Sequence, residues 1–325
     1  MEKSQITTAP IETTQEPKQV IRPCIVCEQD NAHVLFTFTY DFLTRVYHIP
    51  SHWLEGIGWS PDTSASIVQC QNCGAKYTRD VFCNFEEGKP ELSESDIEEK
   101  QKKLNSHKQF SQSEKRLWIL HNLFHQTHAY FKRDIHFLDY GAGSGTWSNT
   151  ARAMGINKVC AYEPYNPYPP HLYSNYNFPD IIASRQWPEI SEHGPFDAIV
   201  CNAVFEHLIH PRQDVQRLFD NLTPGGFLYL HNPFMDLDSE LPALKRASHI
   251  EKSMSISHYH PGHVNYLTPK HFEKFAKSFG FNIISIHANP FPITLKRQLK
   301  NLFKPIFSSL GLYQSKEFLL QKPSF

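Results

Sequence analysis

The stretch FLDYGAGSG, residues 137–145, constrains the fold of this chain more than any other. An apolar run meets an acid, Asp139, and then three glycines at alternate positions, Gly141, Gly143 and Gly145. Such a run reads as a strand entering a tight turn, where glycine lets backbone and ligand come close. The pattern around it is periodic. IHFLDY precedes TWSNTARAMG, a helix ending at Gly155, and KVCAYEP and FDAIVCNAV read as further strands. PRQDVQRLFDNL reads as a helix with Pro211 in its first turn. Its apolar face is Val215, Leu218, Phe219 and Leu222. TPGG is a turn and FLYLHNP a strand. TPKHFEKFAKSFG is a helix with Thr268 as N-cap and Gly280 as C-cap, and FNIISIHA is a final strand. Strands alternating with helices predict an α/β fold, a doubly wound and mostly parallel sheet.

The rest of the chain divides by composition. Residues 1–20 are rich in Thr, Gln, Glu and Pro and read as a disordered tail. Residues 21–85 carry Cys24, Cys27, Cys70, Cys73 and Cys83 among short apolar runs such as VLFTFTY and SIVQC, which favour strands. Residues 86–115 are charged and read as a helical linker, with Ser95/Glu98 and Ser111/Glu114 at capping-box spacing. A helix over 112–131 places Leu117, Leu120, Phe124 and Phe131 on one face, opening the α/β unit of residues 116–290. Residues 291–325 form an amphipathic C-terminal segment. Lys plus Arg (32) balance Asp plus Glu (33), so no basic field marks a nucleic-acid partner. No apolar run is long enough to span a membrane, and the N-terminus lacks a signal-peptide core. A cytoplasmic location with reduced cysteines follows.

In an open α/β sheet, ligands sit beyond the carboxyl ends of the strands. Gly141, Ala142, Gly143 and Gly145 lie at one such end. Glu163 closes the next strand, where a carboxylate suits the two hydroxyls of a ribose. Together they point to an adenosine cofactor. The G-x-G-x-G spacing departs from the G-x-G-x-x-G of dinucleotide sites. Asp139 would repel a pyrophosphate but attract an ammonium and a sulfonium. Charge therefore favours S-adenosylmethionine over a nicotinamide cofactor.

The motifs FLDYGAGSG, AYEP, FDAIVCNAVFEHL and LTPGGFLYL stand in the order and spacing of class I S-adenosylmethionine-dependent methyltransferases. The resemblance covers about residues 115–290 and implies a Rossmann-like methyltransferase sheet. It implies that Asp139, Gly141 and Gly143 line the methionine part of the cofactor and that Glu163 holds the ribose. Asn202, Ala203 and Val204 would lie beside the cofactor. The resemblance implies an acidic residue after the third strand, near the adenine; here the strand around DIIAS is followed by SRQWPEI, which leaves the adenine contact unassigned, with Trp187 either packing on the ring or serving in the core or at the surface.

Methyl transfer to a hydroxyl or carbon needs a base for the departing proton. FEHLIHP supplies Glu206, His207 and His210, and HYHPGHVNYLT supplies His258, His260 and His263. The resemblance implies that the EHL motif and a later histidine line the acceptor pocket. His207 and His263 are the candidates for base or orienting residue, with His231 a weaker one; the EH pair holding its loop is the structural alternative. Residues 233–262 read as a long insertion, either a lid over the acceptor or a surface excursion.

Cys24-Ile-Val-Cys27 and Cys70-Gln-Asn-Cys73-Gly have the knuckle form of a structural zinc site, Zn2+ held by four thiolates in a small zinc-ribbon-like module. Reduced redox motifs or unliganded thiols are the alternatives. Cys83, Cys160 and Cys201 read as single thiols. A zinc-knuckle module before such a domain is similar to the front half of deoxysugar C-methyltransferases, whose further C-terminal domain has no counterpart here. A small-molecule or glycan acceptor, with a sugar hydroxyl among the candidates, is the reading that results. A noncatalytic S-adenosylmethionine-binding protein and a nicotinamide-dependent reductase are the alternatives. ITLKRQLKNLFKPIFSSLGLY reads as a basic amphipathic helix that packs on its own domain or a second subunit, or touches a membrane surface.

Overall fold

The computed structural model describes residues 19–56, 58–82, 107–164, 178, 180–233, 237–247, 262–287 and 315–324. β1 (Gln19–Ile21) leads through the first cysteine pair to β2 (Ala32–Thr39). Thr39 then caps α1 (Tyr40–Val46), its Oγ1 accepting from the Phe42 amide at 3.2 Å. α2 (Ser51–Gly56), β3 (Ser64–Cys70), β4 (Lys76–Thr78) and β5 (Asp80–Phe82) follow. The stretch between the two cysteine pairs therefore holds two helices as well as the expected strands.

The second half begins with α3 (His107–Phe131). This helix starts upstream of Ser111, so the Ser111/Glu114 pair lies inside it and not at a cap. Its buried face is Ile119, Leu120, Leu123, Phe124 and Thr127, while Leu117 is 45% exposed. The expected face was thus rotated by part of a turn. β6 (His136–Tyr140), α4 (Thr146–Ala153), β7 (Lys158–Tyr162), β8 (Ile182–Ser184), α5 (Trp187–Ser191), β9 (Phe196–Asn202) and α6 (Pro211–Asp220) realise the predicted alternation. β10 (Leu222–Pro233) runs through TPGG, with its register to β9 broken between Leu222 and Phe227. The chain continues in α7 (Leu237–Ala247), β11 (Asn265–Tyr266), α8 (Pro269–Lys277), β12 (Asn282–His287) and β13 (Ser315–Gln321). Thr268 caps α8, accepting from the His271 amide, and Gly280 follows its end with φ of 90°.

Seven strands form one sheet in the order β12-β13-β10-β9-β6-β7-β8. β6 pairs in parallel with β7 and β9, and β13 is antiparallel to both neighbours. The sheet is mostly parallel, as predicted, but FNIISIHA is not its last strand. SKEFLLQ inserts between β12 and β10. Glu317 interrupts its apolar pattern, and the structure accommodates that carboxylate by burying it against Lys115 at 2.9 Å. The helix expected at 293–313, residues 1–18 of the tail expected at 1–20 and Ser95/Glu98 lie outside the described residues, while Gln19 and Val20, placed in that tail, belong to β1. Among the described residues no helix is long and apolar enough to cross a membrane.

The N-terminal module carries a four-stranded sheet, β11-β4-β3-β2, with β1 and β5 as a separate pair. β11 comes from the second half, so the two halves share a sheet. They share cores too. Phe38, Phe42, Leu54 and Ile67 pack with Leu237, Leu241 and Leu244. Those leucines lie on α7, inside the stretch expected to be a patternless insertion; 248–261 lie outside the described residues.

Arg22 joins the halves most directly. It is buried, with Nε donating to the Thr78 carbonyl (2.8 Å) and Nη1 to those of Leu208 and Ile209 (3.2 and 3.0 Å). Nη2 reaches the Val264 carbonyl. Burial lowers its guanidinium to about 10, still charged at neutral pH. Arg22→Met keeps the apolar stem and leaves the carbonyls without their donor. It is expected to cost about 3 kcal/mol, read as a lower urea midpoint; an unchanged midpoint would show that this guanidinium does not hold the halves together.

Candidate functional site

The site grows from the crossing point of the sheet. The chain leaves β6 in one direction and β9 in the other, so their carboxyl ends open a crevice. Gly141, Gly143 and Gly145 all take positive φ, 74°, 52° and 71°. At Gly141 space is limiting as well, because a Cβ there would lie 2.2 Å from Cγ2 of Val204, on the loop after β9. The Gly141 and Ala142 amides donate to the Tyr162 carbonyl at 2.8 and 3.0 Å, drawing the loop over the end of β7. The Gly143 amide donates to Oε2 of Glu163 at 2.7 Å. Ala203 holds φ of 55°, rare for a residue with a Cβ, and its amide donates to the His231 carbonyl.

Asp139 sits one layer below this loop. It is 1% exposed, and its Oδ2 accepts from the amide (3.0 Å) and Oγ (2.7 Å) of Ser148, in the first turn of α4. The carboxylate thus holds the helix start that follows the glycines. Burial pushes its pKa up to about 7. The Ser148 hydrogen bonds and Arg116 oppose that rise, and Glu163 adds to it.

A cavity of about 860 Å3 opens over both loops. Gly141–Ser144, Glu163, Asn202–Val204 and His207 line it, and so does Arg116 of α3. The N-terminal module also lines it, through Trp59, Asp80 and Phe82. Trp187 does not line the cavity; its ring meets Tyr140 and Tyr162 edge-on, with Arg217 above it.

Glu206, His207 and His263, candidates from the sequence, lie together in the structure, with His207 alone of the three lining the cavity. The short helical turn Phe205–His207 follows β9, and the Val264 amide donates to the Glu206 carbonyl at 2.7 Å. Glu206 is buried, and its amide donates to Oδ1 of Asn232. The His207 and His263 rings meet edge-to-face at 4.7 Å. Nδ1 of His207 lies 3.1 Å from the Gly262 carbonyl. A carbonyl only accepts, so Nδ1 carries a proton; in the neutral form of the ring the lone pair is then on Nε2. One ligand atom from each of the three residues lies within 4.8 Å of the others, so the group can take up a proton or hold a cation. His231 is half-buried, and burial and Lys115 hold it near pKa 3, so it is neutral; it is not among the residues that line the cavity. His258 and His260 lie outside the described residues.

Cys24, Cys27, Cys70 and Cys73 converge equally closely, with Sγ atoms within 4.8 Å of one another. Cys24–Cys73 and Cys27–Cys70 stand at 3.5 Å. A disulfide would bring sulfurs to about 2 Å, whereas the edge of a tetrahedron built on 2.3 Å zinc–sulfur bonds is about 3.8 Å. The spacing fits four thiolates around one ion. Burial pushes the Cys27 thiol up, but hydrogen bonds with Asn72 and at Gln29 outweigh it and bring the thiol down to about 6. Cys160 and Cys201 are buried single thiols, and Cys83 lies outside the described residues.

Sequence reasoning missed Arg22, Arg116 and the wall of Trp59, Asp80 and Phe82. No local motif marks them, since each acts across the boundary between the two halves.

A family model described as a methyltransferase domain matches residues 97–286, more than half of the chain. The chain belongs to that family, the S-adenosylmethionine-dependent methyltransferases. It is 24% identical over 166 residues to a ubiquinone biosynthesis O-methyltransferase of Colwellia psychrerythraea, covering 48% of this chain and 66% of that protein. It therefore spans just under two thirds of that relative's length. Solved structures similar to it include magnesium protoporphyrin IX methyltransferase from Synechocystis PCC 6803 with bound SAH, at 12% identity and TM-score 0.45, covering 74% of this chain and 91% of that one. Another is an S-adenosylmethionine-dependent methyltransferase from Mesorhizobium loti, at 15% identity and TM-score 0.38, covering 58% and 91%.

Asp139 generates a pH prediction. Its carboxyl titrates near 3.8 in the ordinary case and near 7 when buried. Between those values the folded chain holds a proton that the unfolded chain releases, so this stabilisation is full below about pH 4 and is lost as pH rises to 7. Asp139→Asn should flatten that decline in urea midpoints measured from pH 4.5 to 7.5. Equal slopes for the two proteins would place the titration elsewhere.

Proposed function

We propose that this chain transfers the methyl group of S-adenosylmethionine to a hydroxyl of a small-molecule or glycan acceptor by in-line displacement. The observation that carries the reading is one continuous cavity from the glycine loop to His207, whose tautomer leaves Nε2 able to accept a proton. The relative named for ubiquinone biosynthesis O-methyl transfer favours oxygen as the atom methylated.

The cofactor supplies an activated methyl group on a positively charged sulfur. In this reading Gly141, Ala142, Gly143 and Gly145 give its amino-acid end access to bare backbone. Asp139 anchors the loop from beneath and contributes negative charge through space. Glu163 takes the ribose hydroxyls, and Asn202 and Ala203 flank the cofactor. His207 accepts the hydroxyl proton at Nε2 as oxygen attacks the methyl carbon; the carbon–sulfur bond breaks and its electron pair stays on sulfur. Glu206 and His263 orient His207. The module's Trp59, Asp80 and Phe82 shape the acceptor side.

Turnover tests this directly. The protein, methyl-labelled S-adenosylmethionine and a panel of phenolic and sugar hydroxyl acceptors should give acceptor-dependent label transfer. His207→Ala should lower kcat by on the order of 10²- to 10⁴-fold with cofactor affinity little changed. Cofactor binding without transfer to any acceptor would support a noncatalytic binding protein instead. Retained turnover after chelation would separate proton transfer by His207 from cation-assisted chemistry at the same three residues.

We also propose that Cys24, Cys27, Cys70 and Cys73 hold one structural Zn2+, a closed site with no open position for chemistry. It would staple the module that forms the acceptor wall. Elemental analysis should find one zinc per chain in the purified protein and none in Cys70→Ser, whose melting temperature should fall. A metal-free wild-type protein with unchanged melting temperature would overturn this assignment.

A further inference from the structure

The turn that carries His207 is too short to hold itself. Phe205–His207 is a single helical turn closed by two backbone bonds. The His207 amide donates to the Val204 carbonyl at 2.9 Å and the Leu208 amide to the Phe205 carbonyl at 3.2 Å. Bonds between residues three apart have poor geometry. So short an element also leaves carbonyls that need donors from elsewhere. Residues 264 and 265 supply them. The Val264 amide donates to the Glu206 carbonyl at 2.7 Å. Nδ2 of Asn265 donates to the Phe205 carbonyl at 2.7 Å and to the Leu208 carbonyl at 2.8 Å.

Asn265 is buried, and both its amide protons go to carbonyls that bracket Glu206 and His207. The reverse orientation of the amide would set its oxygen against both carbonyls, so the hydrogen bonds decide which way it faces. A fork of this kind fixes the tilt of the turn, and with it the direction in which the imidazole leaves the backbone. Asn265 lies on β11, which pairs with β4 through Asn265–Tyr77 and Tyr266–Lys76. The clamp therefore reaches His207 from the edge of the N-terminal module's sheet. From the large sheet, Asn232 of β10 accepts from the Glu206 amide at 3.2 Å. Asn265 is not among the residues that line the cavity, so its effect passes through the turn.

We propose that Asn265 is a positioning residue for methyl transfer, clamping the His207 turn so that Nε2 meets the acceptor hydroxyl. The proposal rests on the role given to His207 above and makes the edge of the N-terminal sheet part of the proton-accepting apparatus.

A double-mutant cycle on the full chain tests it. The readouts are turnover of methyl-labelled S-adenosylmethionine with an active hydroxyl acceptor, and calorimetry with S-adenosylhomocysteine to report folding and cofactor binding. Asn265→Ala should lower kcat on the order of 10- to 100-fold, the cost of a misplaced group, with S-adenosylhomocysteine affinity little changed. In the His207→Ala background the same substitution should cost little more, because the group it positions is gone. Asn265→Ser keeps a hydroxyl donor there and should retain more kcat; it carries the same cycle should the alanine variant not fold. Equal losses in the two backgrounds, or an unchanged kcat in Asn265→Ala, would overturn the positioning role and leave that of His207 standing. Wild-type kcat in His207→Ala, or no turnover of any acceptor by the wild-type protein, would overturn the role of His207 and this proposal with it.

Discussion

Everything at this site depends on how closely two strand-end loops approach. A Cβ at position 141 would stand 2.2 Å from Val204, so the loop after β6 can meet the loop after β9 only through a glycine. That contact places Gly141 against Asn202–Val204 and turns the crevice at the sheet's crossing point into a defined wall. Asp139 then secures the next helix from below through Ser148, and Glu163 holds the Gly143 amide from the side. The loop is thereby fastened at three points before any ligand arrives, and preorganisation of this kind lowers the entropy lost on binding.

The second organising feature is the sharing of structure between halves. β11 extends the N-terminal sheet, α7 lends its leucines to the N-terminal core, and Arg22 ties β4 to the segments carrying the histidines. The Cys24–Cys73 cluster abuts the second half as well, with His271 of α8 contacting the Cys73 carbonyl at 3.0 Å. In the proposed reaction the module would do more than hold the proposed ion, because Trp59, Asp80 and Phe82 line the same cavity as the glycine loop. A change in that wall would alter which acceptor fits without touching the cofactor side.

Much of this was legible in the sequence because the signals are local. The glycine run, the caps at Thr268 and Gly280 and the alternation from IHFLDY to FNIISIHA each depend on neighbours a few residues away. The sequence placed the segments of Glu206, His207 and His263 on one side of the sheet, but their meeting was not legible, because it depends on the fold of the residues between them. Other features were hidden for physical reasons. β13 carries a buried Glu317 whose partner, Lys115, lies some two hundred residues earlier, so its pattern reads as polar. α7 contains Pro242, which reads as a helix breaker, and its leucines find their core in the other half. Asp139 is instructive: the two-residue period of β6 puts it on the same face as Phe137, toward α4, one layer beneath the cavity. The arginines that organise the site have no motif at all, because what marks them is the surface they meet.

The central claim is that the bare backbone at residues 141–145, with its two carboxylates, receives an adenosine-bearing sulfur cofactor. Its most direct test is the electron density of crystals grown with S-adenosylhomocysteine. The account predicts one molecule in the cavity, its ribose hydroxyls on Glu163 and its amino-acid end along the glycine loop. An empty cavity in crystals that admit the ligand, or a ribose placed away from Glu163, would contradict it.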